Sequence, residues 1–298
     1  MASSAIHRLP DAQAAVLRVS YDSQIAARRR RSVFGVLALI VLIALAGFVG
    51  EVSLPKFIAN IGNFTSYIGR LFYLDSGDFV FTNVHEWFWG VTQKNKWLPL
   101  LGETRLIAYI GTITGAIGAF IWCFLASQNL VQSQWLRLFA RRYLEFCRTV
   151  PELVFALIFV VAFHLGPLPG ILALAIHTTG ALGKLFAEVV ENIDMKPVEG
   201  LISTGGSWVQ MVRFAVLPQV LSNFVSYTLL RFEINVRSAG IMGFVGAGGI
   251  GQELLVSIRK FYYSDVSAIL LLLIVTVMAI DLLTERLRHT LIGREYGA

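Results

Sequence analysis

The sequence predicts an all-α integral membrane protein with six transmembrane helices. Three observations lead there. First, the 298 residues are 56% hydrophobic and only 15% charged, with a mean hydropathy of +0.67, whereas a soluble domain carries about 25% charged residues. One soluble core of this length cannot hide so much apolar surface, so lipid must solvate much of it. Second, the apolar residues gather in runs of membrane-spanning length. Third, the basic residues stand at the ends of those runs. The formal net charge is +6 and the pI about 9.5. In a soluble chain that balance would suggest a nucleic-acid partner, but the distribution marks it as a topology signal and excludes that class.

The first span runs from Val33 to about Gly50, behind the basic run Arg28 to Arg31. The polar stretch before that run, about 27 residues long, argues against a cleavable signal peptide and reads as a tail or a surface helix. The second span runs from about Leu106 to Ala126 and contains Gly111-x-x-x-Gly115, spaced for close helix approach. The third, from about Pro151 to Leu165, is short unless the residues before Pro151 extend it. After Gly166-Pro167-Leu168-Pro169-Gly170 the fourth runs to about Val190. The fifth starts at Pro218 and continues to about Ser238, and the last runs from about Val266 to Leu283. The glycine-rich stretch Ile241 to Ile250 either extends the fifth span or forms a re-entrant turn.

Orientation follows from the basic clusters. With Arg28 to Arg31 inside, six spans also put Arg137, Arg141, Arg142 and Arg148 inside, together with Arg286, Arg288 and Arg294. The connection holding Lys184, Lys196 and Arg213 faces the same way. Both termini are then cytoplasmic, and Arg259 and Lys260 are a mild exception outside. The outer loop 51–104 carries Trp87, Trp89 and Trp97. It is either a segment lying at the membrane interface or a loop folded around a small core. Cys123 and Cys147 fall near the cytoplasmic side, so no disulfide is expected, and no spacing suggests a metal site.

The connection 191–218 is too long and too patterned for a plain loop. Glu191, Asp194, Lys196, Pro197 and Glu199 open it. Pro197 suits a first helical turn, and Glu199 is favourable early in that helix. Gly205-Gly206-Ser207 breaks the helix, and a second short helix runs from Trp208 to about Phe214 before Pro218 starts the next span. Two short helices with a bend suit docking into a groove on another protein.

This segment resembles the EAA loop of ABC-importer permeases, whose pattern is Glu-Ala-Ala, three residues, Gly, nine residues, Ile, one residue, Leu-Pro. Glu199, Gly205, Leu217 and Pro218 are in register, while Gly200, Leu201 and Ala215 replace the two alanines and the isoleucine. Ser207 and Trp208 lie within the same element. The resemblance covers about residues 100–290 and implies a five-span type I importer core plus one extra N-terminal span. It divides the chain into a cytoplasmic tail (1–31), a first span with its periplasmic loop (32–104), the core (105–290) and a C-terminal tail (291–298). It further implies a second copy of the chain, two ATP-binding cassette subunits at the cytoplasmic face and a substrate-binding protein at the outer face, in a bacterial inner membrane. The chain lacks a G-x-x-x-x-G-K-[ST] phosphate loop, so ATP and Mg would be bound by the cassette subunits and this chain would hold no cofactor.

Several stretches resemble phosphonate-transporter permeases in particular: Arg148 to Glu152, Ile176-His177-Thr178-Thr179-Gly180, Val198-Glu199-Gly200, and Arg231 to Ala239. The implied cargo is phosphonate, with phosphite, hypophosphite or phosphate as alternatives and an ion-coupled carrier as a more distant one. Val245 to Gly251 is shared with methionine and betaine permeases. Its Gly246, Gly248 and Gly251 also read G-x-G-x-x-G, but no βαβ unit surrounds them. An intramembrane enzyme would need paired aspartates, a Ser-His dyad or H-E-x-x-H, and the spans offer only Asp281.

Ionisable groups within a span mark function or pairing. Arg231, about 20 Å along the helix from Pro218, and Arg237 either draw an anion into the pathway or form interhelical pairs with Glu233 or Glu188. Glu233 and Arg237 can pair on one face, as can Lys184 and Glu188. Arg148 and Glu152 are expected to pair across Pro151. His177 reads as a hydrogen-bonded packing residue that could also titrate, and His164 as interfacial. His177, Arg231, Glu233, Arg237, Gly246, Gly248 and Gly249 are therefore the candidate pathway residues.

Overall fold

The computed structural model describes residues 11–92 and 96–295, with side chains at 21–53, 55–91 and 96–288. The start of the N-terminal tail, the side chain of Arg294 and the last three residues lie outside the described residues. By contact the chain divides into two units, residues 1–67 and 68–298. In the first, α1 (Asp11–Val49) is a single helix of 39 residues. The basic run Arg28 to Arg31 therefore lies inside a helix that starts well before the expected span. The second helix, α2 (Leu54–Arg70), exposes Phe57, Ile58, Ile61, Phe64 and Ile68, a stripe at helical spacing.

The second unit contains α3 (Trp97–Ala126), α4 (Gln134–Thr149), α5 (Glu152–Phe163), α6 (Pro167–Glu191), α7 (Lys196–Ser203), α8 (Leu217–Met242), α9 (Ile250–Arg259) and α10 (Tyr263–Glu295). Among the described residues four helices are long and apolar enough to cross a membrane, and six spans result if each of two bent pairs counts as one. The unit has two ends. At one, Asn129 donates to the Val190 carbonyl at 2.7 Å and Trp208 Nε1 to that of Leu130 at 3.3 Å, so the turn 127–133 meets the connection after α6. At the other, the Gly166 N–H reaches the Gly246 carbonyl at 3.0 Å, joining the starts of α6 and α9.

The centre is a parallel pair, α3 and α6. Gly111 faces Leu174 and Gly115 faces Thr178, so the contacts advance in the same direction along both helices. A Cβ at Gly115 would lie 2.6 Å from that of Thr178, and small residues are what permit this approach. Gly180 plays the same part against α4, where a Cβ would sit 2.5 Å from the Arg148 nitrogen. Toward the 127–133 end, Phe186 stacks on Phe224 with centroids 4.0 Å apart.

Three expectations change, and one open alternative is resolved. The second span begins at Trp97, and the loop before it folds around a core holding Leu74, Val80, Trp87 and Trp97. Trp87 donates to Ser267 at 2.9 Å and Trp89 to Asp265. The tryptophans thus belong to a folded segment. The third span is broken: α4 and α5 meet at 85°, because a residue preceding proline leaves the helical region. The fifth span does not start at Pro218. The turn Trp208–Met211 passes through a π-turn, Val212–Val216, directly into α8. Proline lacks an N–H and clashes with the carbonyl four residues back, and a widened turn accommodates both. Finally, α8 runs to Met242, tightens over Gly243–Val245 and breaks, and α9 departs at 47°.

Candidate functional site

The connection 191–218 keeps the first short helix and the bend foreseen, but its second helix is the start of one continuous run into α8. Pro197 stands in the first turn of α7 with Glu199, and Val198 is buried. Gly200 is exposed, with open space where a Cβ would be. Gly205 has φ +81°, and its N–H and that of Gly206 return to the carbonyls of Ile202 and Leu201, both at 3.0 Å. This closes α7 in the manner of a left-handed C-cap. Ser207 then caps the next turn reciprocally with Gln210. Met211, Ala215 and Val216 are buried, whereas Ile202, Val209 and Phe214 are exposed and Trp208 is 42% exposed. Leu217 is part-buried and Pro218 lies inside the continuous helix.

Two fastenings at this end escaped the sequence reading. Gln219 clasps Asp194: the Asp194 N–H donates to its Oε1 at 3.0 Å and its Nε2 to the Asp194 carbonyl at 3.2 Å. Glu191 accepts from Arg141 and from the Gln128 N–H at 2.8 Å. Gln219 follows the Leu-Pro pair directly, and nothing local in the sequence names its partner.

A second constellation lies between α3, α4, α5, α6 and α8. Asn235 is fully buried, and its Nδ2 donates to Thr112 Oγ1 at 2.8 Å and Thr178 Oγ1 at 2.9 Å. One turn earlier, Arg231 donates to His177 Nδ1 at 2.5 Å and to Thr178 at 3.5 Å. A guanidinium only donates, so Nδ1 accepts, and the ring proton sits on Nε2, 3.2 Å from the Arg148 carbonyl. Glu152 Oε2 is 3.3 Å from Nδ1, and Ser238 donates to Glu152 Oε1 at 2.7 Å. The expected Arg148–Glu152 pair does not form, because the 85° bend turns Glu152 toward α6 and α8. Nor does Arg231 pair with Glu233 or Glu188.

This junction accounts for four of the five residues in the Ile-His-Thr-Thr-Gly stretch. His177 caps the end of α4, Thr178 receives α8, Thr179 donates to the Gly115 carbonyl at 3.2 Å, and Gly180 admits the α4 backbone. Glu233 pairs with Arg237 as foreseen and also lies beside Asp281 of α10. Lys184 and Glu188 pair at 3.8 Å. At the opposite end Gly246, Gly248 and Gly249 have φ of +82°, +83° and +78°. The Gly249 N–H is held by Glu103 at 3.1 Å and that of Ile250 by Thr104 at 2.9 Å. The candidate pathway residues thus fall in three places: His177 with Arg231, Glu233 with Arg237, and the glycine turn.

The family of binding-protein-dependent transport system inner membrane components matches residues 111–294. Among similar proteins, a putative phosphite transport system permease of Stutzerimonas stutzeri is 32% identical, covering 89% of each chain. A phosphate-import permease of Mycolicibacterium smegmatis is 38% identical over 64% of this chain and 36% of its own. A putative cryptic phosphonate transport system permease of Escherichia coli is 51% identical over 39% of this chain and 96% of its own. The fold is shared with an inward-facing methionine ABC transporter, at TM-score 0.56 and 18% identity over 65% of this chain and 95% of that one. A bacterial alginate importer superposes with TM-score 0.59 at 14% identity, over 85% and 98%. The chain therefore belongs to the family of inner membrane components of binding-protein-dependent transport systems.

Proposed function

We propose that this chain forms the membrane pathway of an ATP-driven importer for phosphorus oxyanions, phosphonates foremost, with phosphite, hypophosphite and phosphate as the alternatives. The observation that carries the reading is the junction around Arg231. It is built from three of the stretches similar to phosphonate permeases, and proteins similar to this chain are named for phosphite, phosphate and phosphonate transport. A planar arginine fork suits an anion with several equivalent oxygens.

In this reading a second copy of the chain completes the pathway. Two cassette subunits bind ATP and Mg and take up the segment 191–218, whose exposed Ile202, Val209 and Phe214 offer apolar anchors for a groove. Glu199, Gly200, Gly205, Ser207, Trp208, Leu217 and Pro218 shape that element. A binding protein delivers the anion at the opposite face, where Gly246, Gly248 and Gly249 stand at the outer mouth. Arg237, whose side chain is 53% exposed, adds positive charge, and Glu233 holds it in position. Arg28 to Arg31, Arg286 and Arg288 support cytoplasmic termini, and residues 105–290 serve as the transport core.

The test takes the cognate binding protein and titrates it with methylphosphonate, phosphite, hypophosphite and phosphate. ATP-driven uptake of each anion is then measured in proteoliposomes holding the assembled complex. At least one of these anions binds and accumulates only with ATP. Accumulation without ATP, or of none of them, overturns the reading.

A further inference from the structure

The junction leaves two chemical capacities unused. Arg231 carries five N–H donors in a fixed fork. Nη2 goes to His177 and Nε to Thr178, so among the described residues the Nη1 group keeps its donors free of protein partners. Glu152 lies against the same imidazole nitrogen. That nitrogen already accepts from Arg231 and has no proton to give. The Glu152 carboxylate, with about four acceptor sites, takes the Ser238 hydroxyl and retains capacity for another donor. The side chains of His177 and Glu152 both reach the surface of the chain, at 14% and 26% exposure. Arg148 is the further charged residue that acts on this cluster. Glu233, Arg237, Asp281 and Arg288 act on one another elsewhere on α8 and α10.

A free anion-binding fork and a carboxylate flanking one ring select a particular ligand. A dianion satisfies the arginine but is repelled by Glu152. A monoanion that lacks a hydroxyl leaves the carboxylate without a donor. A tetrahedral monoanion that keeps one P–OH satisfies both groups, with its charged oxygens on the guanidinium and its hydroxyl donating to the carboxylate. We infer that Arg231 and Glu152, spaced by His177, form a subsite for the hydroxyl-bearing monoanion of a phosphorus oxyanion. This rests on the proposed cargo class and goes further, because it assigns the protonation form and places a carboxylate in an anion pathway.

The probes are methylphosphonate and dimethylphosphinate, which differ by a methyl in place of the hydroxyl. Binding to the assembled permease–ATPase complex in lipid nanodiscs, without the binding protein, is followed by ligand ³¹P relaxation near neutral pH. Methylphosphonate binds about tenfold more tightly, the scale of one hydrogen bond to a charged group. Glu152→Leu abolishes that preference, and Arg231→Gln weakens both ligands. If Glu152→Leu does not assemble, Glu152→Gln narrows the preference, because a neutral acceptor is about half as strong. Equal binding of the two ligands, a preference unchanged by Glu152 substitution, or binding of neither overturns the subsite. Methylphosphonate uptake is assayed on the same complex with binding protein and ATP. Uptake without the preference removes the subsite alone and leaves the importer reading standing.

Discussion

The turn at Gly205 and the turn at Gly246 to Gly249 both break helices with glycines at positive φ, and they are built in opposite ways. At Gly205 a Cβ would meet nothing within 4 Å. At Gly249 it would lie 2.5 Å from Thr104 Oγ1, and at Gly248 2.7 Å from Glu103 and 3.1 Å from the Pro167 backbone. The first turn needs glycine for its backbone angle alone. The second needs the angle and also the missing side chain, because α3, α6 and α9 converge on it. A turn that is strained yet uncovered keeps a surface clear, whereas a turn that is strained and packed is a joint of the fold.

Substitutions separate the two. Gly249→Ala has the largest effect: backbone strain and overpacking together cost about 3 kcal/mol, read as a fall in the unfolding temperature of the purified permease. Glu103→Ala removes the acceptor for the Gly249 N–H and costs about 1.5 kcal/mol in the same measurement. Gly205→Ala costs about 1 kcal/mol, strain only. Gly205→Trp costs no more in stability, since space is open, yet it abolishes ATP-driven uptake in proteoliposomes by filling the proposed docking surface. Gly200→Ala, in the interior of α7 with open space around it, is neutral or stabilises by up to about 1 kcal/mol. A Gly205→Ala loss as large as that of Gly249→Ala would erase the distinction between the turns, and normal uptake by Gly205→Trp would remove the docking role from the first.

Much of this was legible in the chain because the cues were local. Apolar runs, Pro197 in a first turn and the Gly205-Gly206-Ser207 break each act within a few residues. The Glu233–Arg237 and Lys184–Glu188 pairs follow from helix geometry. The junction was half legible: its stretches stood out, but their meeting depends on α3 and α6 running parallel at glycine distance, which no window of sequence contains. The bend at Pro151 shows the limit well. A charged residue on each side suggested a local pair, and the bend redirected Glu152 to partners 25 and 86 residues away. The π-turn was hidden for a different reason, since a proline signals interruption and gives no sign that a helix will widen and continue.

The Asp194–Gln219 clasp has a mechanical consequence. Its two reciprocal hydrogen bonds tie the segment between α6 and α8 shut at its mouth, so residues 195–218 between the two partners form a closed handle rather than a slack tether. A handle fastened at both roots cannot absorb a push by lengthening one side. Force applied at its tip reaches α6 and α8 together as a torque, and these two helices carry His177 and Arg231.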